Sequence, residues 1–159
     1  MKTAAQAFKK AAGMFSGATS AAARIDQAVS TDLSPECLSL LETLCLAHAQ
    51  RCFYEKAKGD KMKDGILAKL AQGAANLYGQ VASGVSGPQA ADRIAKHFKG
   101  TSWGSDLAVE EALYSAIAHI HAAKVKYFSS FTREIVIFLI GRGTSASANF
   151  STFLMTPYL

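Results

Sequence analysis

Proline is scarce in this sequence, with 3 residues among 159. Because proline interrupts helices and central strands, its scarcity permits long uninterrupted helices. The best apolar run, Ile135–Ile140, is far shorter than the roughly 20 residues that a membrane-spanning helix needs, so a transmembrane protein is excluded. Half of the residues are nevertheless apolar and 18% are charged, which excludes a disordered chain and indicates one globular domain or a piece of one.

Cysteine is also scarce, and the three cysteines cannot all pair with one another. Cys37, Cys45 and Cys52 fall in one short segment, which argues for a reducing compartment and against a disulfide framework. A metal site there would need further ligands, and His48 alone does not supply them. We therefore expect buried thiols that behave as small apolar side chains, and neither a metal nor a cofactor.

Acidic residues are absent from the N-terminal segment until Asp26, whereas Lys2, Lys9, Lys10 and Arg24 make it basic. This composition is compatible with a mitochondrial transit peptide or with a basic amphipathic helix that belongs to the fold. Of these two interpretations we favour the helix.

Apolar residues recur at three- and four-residue steps over most of the chain, which predicts an all-α fold. Ser34 is a suitable N-cap, followed by Pro35 and Glu36, and Gly59 with Asp60 ends the helix that begins there. The short break makes this helix and the next an antiparallel hairpin. The predicted helices cover about residues 2–29, 34–58, 61–82, 88–99 and 106–128, a pattern typical of a helical bundle or an α-solenoid.

The last thirty or so residues have a different character. The segment 131–140 is β-branched and aromatic, 141–147 is turn-like, and 148–159 has no clear period. A short strand or disorder is the expectation for this tail.

One possible catalytic motif is Gly100–Gly104, which fits the G-x-S-x-G pattern with Ser102 as the nucleophile. That chemistry needs a strand before the serine, and here a helix is predicted instead, so a glycine-rich loop between helices is favoured. His119 and His121 are two residues apart on a helix and cannot chelate one metal together. We expect no enzymatic activity.

The net charge of +5 permits nucleic acid or an anionic membrane surface as a partner. The lysines near residue 60 are, however, interleaved with acidic residues, and no nucleic-acid motif accompanies them. A basic helical module of this kind is kept as the alternative function.

The predicted hairpin also brings apolar residues together. If its turn centres on Gly59 and Asp60, Phe53 lies opposite Ile66, with Leu70 one turn further, and Lys56 lies opposite Lys63 at the edge. An apolar surface with a lysine rim would suit an amphipathic helix that has an acidic rim. On spacing alone, an ordinary hairpin core is the favoured interpretation of the three apolar residues.

Four stretches of the sequence resemble the Bro domain of the Alix family. They are Asp32–Glu36, Leu46–Ala57, Asp60–Asp64 and Ile66–Ala71. The family's core string is L-A-Q-A-Q-E-C-F, from which this sequence departs at His48 and Arg51. The resemblance covers about residues 2–128.

This resemblance implies a banana-shaped, all-helical domain with a tetratricopeptide-like solenoid. It implies a cytosolic, endosome-associated scaffold of multivesicular body formation rather than an enzyme. The family binds the C-terminal amphipathic helix of an ESCRT-III subunit, a charged multivesicular body protein, through a pocket whose positions match Phe53, Ile66 and Leu70 here. The rim of Lys56 and Lys63 is our own addition to that site. The resemblance implies a protein partner, and we do not expect nucleic acid as a partner.

The family domain is more than twice as long as this chain. The resemblance therefore implies an incomplete Bro domain at residues 2–128, followed by a divergent tail at 129–159 that is disordered or non-native.

Overall fold

The computed structural model describes residues 2–24, 30–86 and 92–141, and within these ranges it consists of helices and connecting turns. The helices are α1 (Lys2–Ala22), α2 (Pro35–Gly59), α3 (Asp64–Ser86), α4 (Asp92–His97) and α5 (Trp103–Gly141), with a 3-10 turn at Thr31–Leu33. The all-α prediction is confirmed. The continuation of the first helix to Val29, the fourth helix's start at Pro88 and the segment 142–159 lie outside the described residues.

The start of α2 is as the sequence predicts. The Ser34 hydroxyl accepts a hydrogen bond from the backbone N–H of Cys37 at 3.2 Å, and Pro35 occupies the first helical position. A serine cap satisfies one of the N–H groups that a helix start leaves unpaired, and Ser34 is itself buried. Burial raises the pKa of the Cys37 thiol, and the nearby charge of Asp32 raises it further.

The turn between α2 and α3 is longer than expected. The backbone N–H of Met62 donates to the carbonyl of Ala57, and that of Lys61 donates to Lys58. This pattern is a Schellman motif, in which the residue after the helix adopts a left-handed conformation. Lys61 does so at φ 53° in place of the usual glycine. The turn therefore includes residues 60–63, and α3 begins three residues later than predicted.

Small side chains let α1 and α2 approach closely. The buried residues of α1 are Ala5, Ala12 and Ala22, and the helix packs along α2. The ring of Phe8 meets that of His48, with centroids 5.1 Å apart. α1 is thus part of the fold, as the second interpretation of the basic segment holds.

Three buried tyrosines join α5 to the hairpin. The ring of Tyr114 stacks on Tyr78 of α3 at a centroid distance of 5.9 Å and meets Tyr54 of α2 edge-on at 5.8 Å. All three side chains are almost fully buried among small residues of α2 and α3. Burial raises the pKa of Tyr114 to about 12, so its hydroxyl stays neutral at physiological pH.

A polar network runs beside these rings. The Tyr78 hydroxyl and Nδ1 of His48 are hydrogen-bonded at 3.0 Å, and Nη1 of Arg51 meets Oε1 of Glu110 on α5 at 3.4 Å. Burial lowers the pKa of His48, and the positive charge of Arg51 lowers it further, while Glu110 opposes both effects. His48 is therefore neutral near pH 7.

The chain divides into two compact units, residues 1–124 and 125–159. In the second unit, residues 125–141 are helical, so the short strand considered for 131–140 was wrong. Aromatic and β-branched residues disfavour a helix by only a few tenths of a kcal/mol each, and extending an existing helix needs no new nucleus. None of the helices in the described ranges has both the length and the apolar character needed to cross a membrane.

The close approach of α2 and α3 at Gly84 gives a first prediction. A Cβ atom at Gly84 would overlap the side chain of Leu40, whereas a Cβ at Gly13 of α1 would meet no atom within 4 Å. Gly13→Ala should raise the unfolding free energy by about 0.5–1 kcal/mol through helix propensity. Gly84→Ala should lower it, since overpacking costs about 1–3 kcal/mol. Urea denaturation of both variants checks this, and equal stabilisation of the two would contradict the packing.

The neutral state of His48 gives a second prediction. Its pKa is lowered in the folded chain, so its contribution to stability is present above the unfolded pKa of about 6.5 and is lost as pH falls below that value. His48→Gln keeps a partner for Tyr78 but does not titrate. Between pH 7.5 and 5.5 the variant should lose less stability than the parent, by under about 1.4 kcal/mol per pH unit. Identical pH profiles in thermal unfolding would show that His48 is not desolvated.

Candidate functional site

Two bulky apolar side chains near the hairpin turn are open to solvent. Phe53 near the end of α2 is 41% exposed, and Ile66 in the first turn of α3 is 45% exposed. Large apolar side chains of this kind usually lie in a core, so their exposure on adjacent helices is informative.

The register of the hairpin differs from the one we expected. Gly73 of α3 lies against Gln50 of α2, and Gly84 lies against Leu40. These contacts place Phe53 opposite Leu70, with Ile66 one helical turn nearer to the tip, because the turn at residues 60–63 is longer than the predicted break at Gly59 and Asp60.

Leu70 is the more sheltered of the three apolar residues. It is half-buried and packs against the main core, and its backbone carbonyl accepts a hydrogen bond from the Gln50 side chain at 3.2 Å. Leu70 is therefore less accessible than Phe53 and Ile66, which carry most of the exposed apolar surface of the three. We name these three residues the hairpin groove.

The two lysines of the expected rim are in different situations. Lys56 forms an ion pair with Asp60, four residues further on, in the turn that follows α2. Lys63 is exposed, and in the part of the chain that the structure describes no carboxylate pairs with it. Lys56 does not lie opposite Lys63, because Lys63 belongs to the turn. Of the two lysines, Lys63 is thus the one without an ion pair among the described residues.

A residue beside the groove was not recognised in the sequence. Met62 is 45% exposed in the turn, although the predicted third helix, over residues 61–82, would include it. Met62 lies outside both helices because the left-handed backbone at Lys61 ends α2. Glycine is the usual residue at such a position, so the lysine gave no signal of it in the sequence.

α5 braces the start of α3. Nδ1 of His121 lies 2.6 Å from Oδ1 of Asp64, and Nε2 of His121 lies 3.2 Å from the Tyr54 hydroxyl. Burial and the charge of Glu55 raise the pKa of Tyr54, so the hydroxyl keeps its proton. Since Asp64 is two residues from Ile66, this link holds the first turn of α3, in which Ile66 lies.

Ser102, the candidate nucleophile, lies in the loop between α4 and α5. Ser102 follows the short helix α4 rather than a strand, and its hydroxyl donates at 2.7 Å to the carboxylate of Asp106 in the first turn of α5. Cys37, Cys45 and Cys52 are free thiols. Among the described residues, no three His, Cys, Asp or Glu side chains come together as metal ligands do.

Comparisons with known proteins add an independent result. The family model of the BRO1-like domain matches residues 1–139, beyond residue 128 where we expected the resemblance to end. ALG-2 interacting protein X of Dictyostelium discoideum is 34% identical over 85% of this chain, which covers 17% of that protein. The vacuolar protein-sorting protein bro-1 of Neurospora crassa is 32% identical over 94% of the chain, covering 14% of the relative.

A mammalian relative, programmed cell death 6-interacting protein of Rattus norvegicus, is 33% identical over 85% of the chain and is covered to 15%. No solved structure matches significantly. The chain thus spans about one sixth of the length of these relatives. The family match over most of the sequence agrees with the all-helical fold and with the sequence resemblance around the hairpin. The chain belongs to the BRO1-like domain family.

Proposed function

We propose that this domain is a non-enzymatic, cytosolic scaffold of endosomal sorting that binds the C-terminal amphipathic helix of an ESCRT-III subunit in the hairpin groove. The observation that carries the proposal is the exposure of Phe53 and Ile66 on adjacent helices, above the half-buried Leu70. An amphipathic helix can insert one apolar face into such a groove and leave its polar face in water.

The relatives support the endosomal setting. Fungal members of the family are named vacuolar protein-sorting proteins, and they match this chain through the segment that contains the hairpin. Protein sorting to the vacuole is a task for a binding module, and the described site residues are apolar or basic rather than catalytic.

The charge at the groove favours an acidic partner. Lys63 stands at its edge without a carboxylate partner in the described ranges, and the chain as a whole carries +5. An acidic rim on the bound helix would complement this cation, which affects the association rate and the orientation more than the overall affinity.

The groove residue Ile66 gives the main prediction. Ile66→Asp would place a charge among apolar atoms of the bound helix, where it has no partner. The affinity for a synthetic ESCRT-III C-terminal helix peptide should fall at least tenfold, equivalent to about 1.4 kcal/mol, in isothermal titration calorimetry. The circular dichroism spectrum should stay unchanged, because Ile66 is exposed.

Val109→Asp is the matched control for Ile66→Asp. Val109 is 67% exposed on α5 and lies outside the groove, so the same charge there should leave binding unaffected. Equal binding by the Ile66→Asp variant and its parent would refute the groove. If the parent and the Ile66→Asp variant both bind much more weakly at 300 mM than at 50 mM salt, an anionic surface is favoured as the natural partner instead.

The two lysines of the rim give a further prediction. Because Lys56 is already paired with Asp60 and Lys63 is not paired within the described residues, Lys63→Glu should weaken peptide binding more than Lys56→Glu. We expect about a two- to fivefold loss for Lys63→Glu at low salt, decreasing as salt increases. Glutamate at the start of α3 suits the helix dipole, so the fold should tolerate the change. If calorimetry shows the same loss of peptide affinity for Lys63→Glu and Lys56→Glu, the ion pair with Asp60 does not keep Lys56 from contacting the peptide.

A further inference from the structure

A further large apolar side chain of α2 is open to solvent beyond the hairpin groove. Leu46 is 36% exposed and lies seven residues before Phe53, which is 41% exposed. Seven residues are close to two helical turns, so both side chains lie on the same face of α2, roughly 10 Å apart along the helix axis. The exposed apolar surface therefore continues along α2, away from the hairpin turn.

The facing helix repeats this arrangement at the same interval. The register of the hairpin places Leu77 of α3 opposite Leu46, as it places Leu70 opposite Phe53. Leu77, like Leu70, is half-buried and packs against the main core. Each of the two exposed residues of α2 thus has a half-buried leucine of α3 opposite it. We name Leu46 and Leu77 the groove extension.

A polar side chain separates the two pairs without blocking the path between them. Gln50 lies between Leu46 and Phe53 on α2, and its amide nitrogen donates to the backbone carbonyl of Leu70 at 3.2 Å. The same amide lies over Gly73 of α3, where a Cβ atom would be 2.9 Å from its nitrogen. Because glycine leaves this space empty, Gln50 lies across α3 instead of projecting into solvent. A bound helix can therefore pass over it.

The charges beside this longer surface are unevenly distributed. Lys63 and Lys69 are exposed near the hairpin turn and have no ion pair among the described residues. Two turns beyond Lys69, on the same side of α3, the exposed residue is the uncharged Asn76. On α2, Glu42 lies one turn beyond Leu46 and likewise has no described ion pair. Acidic residues of a partner are therefore favoured over the hairpin groove and disfavoured over the extension.

We propose that the groove extension binds a second apolar contact of the same amphipathic helix, so that the whole surface takes a helix with apolar residues seven positions apart. This inference rests on the proposed function and adds Leu46 and Leu77 to its site. An i and i+7 pair on the bound helix spans the same distance as Leu46 and Phe53, so both contacts form when the helices lie side by side. The acidic residues of the bound helix lie in its half above Lys63 and Lys69.

The variant Leu46→Asp tests the extension. Isothermal titration calorimetry of the full 159-residue chain with the synthetic ESCRT-III C-terminal helix peptide should show about a tenfold loss of affinity, because the charge would face apolar atoms of the bound helix. Leu113→Asp is the matched control, since Leu113 is 50% exposed on α5 and belongs to neither pair. It should bind like the parent. Equal affinities of Leu46→Asp and the parent, with unchanged circular dichroism, would overturn the extension.

Two altered peptides make the test independent of the folding of any variant. In each peptide the apolar residues of one half are replaced by alanine, which preserves the helix propensity. With the parent chain, each should bind about tenfold more weakly than the original peptide, because each loses its contact with one pair. If either half can be replaced without loss of affinity, one pair is enough for binding and the inference is wrong.

Combining the variants with the altered peptides shows which half of the helix lies on which pair. The chain with Leu46→Asp should bind the original peptide and one of the two altered peptides equally, because the contact is already lost. The chain with Ile66→Asp should show the same behaviour with the other altered peptide. Losses that simply add for Leu46→Asp and both altered peptides would show that Leu46 contacts neither half.

The outcomes distinguish this inference from the proposed function. If Ile66→Asp weakens peptide binding and Leu46→Asp does not, the hairpin groove is retained and the extension is refuted. If the peptide does not bind the parent, or binds the Ile66→Asp variant equally well, the proposed function fails and this inference fails with it.

Discussion

The contact of Tyr114 with Tyr78 and Tyr54 is the packing interaction on which the first unit of this domain depends. One ring of α5 lies at 5.9 and 5.8 Å from a ring of α3 and a ring of α2. Aromatic side chains bury a large area and interact directionally, so this contact fixes the rotation of α5 about its axis as well as its position. Tyr78 also contacts the ring of His48, and His48 in turn contacts the ring of Phe8 in α1, so these ring contacts extend from α5 to α1.

This arrangement gives the two ends of the hairpin different properties. Toward the tip, α5 supplies His121, which is bonded to Asp64 and Tyr54 and so holds the start of α3 beside the groove. Toward the other end, the first turns of α5 supply Asp106 and Glu110, which face α2 and α3 across a cavity. One helix thus packs against the hairpin near both of its ends.

The sequence predicts the helices better than their contacts. Local signals are sufficient where one residue decides the outcome: Ser34 caps α2 as its side-chain chemistry requires. They fail where the outcome depends on backbone strain or on distant residues. Lys61 offers no sign of the left-handed turn that shifts the hairpin register, and His121 is 57 residues from the Asp64 that it contacts. Likewise, the β-branched segment 131–140 is helical because it continues α5.

His48 and Arg51, the two positions that depart from the family's core string, both belong to the network at the cavity. His48 lines the recess and bonds Tyr78, and Arg51 meets Glu110. At 3.6 residues per turn, Phe53 lies well around α2 from both of them. The two departures therefore belong to this network and lie on a different side of α2 from Phe53. Because Phe53, Ile66 and Leu70 do not belong to this network, the network can be altered without changing the side chains of the hairpin groove.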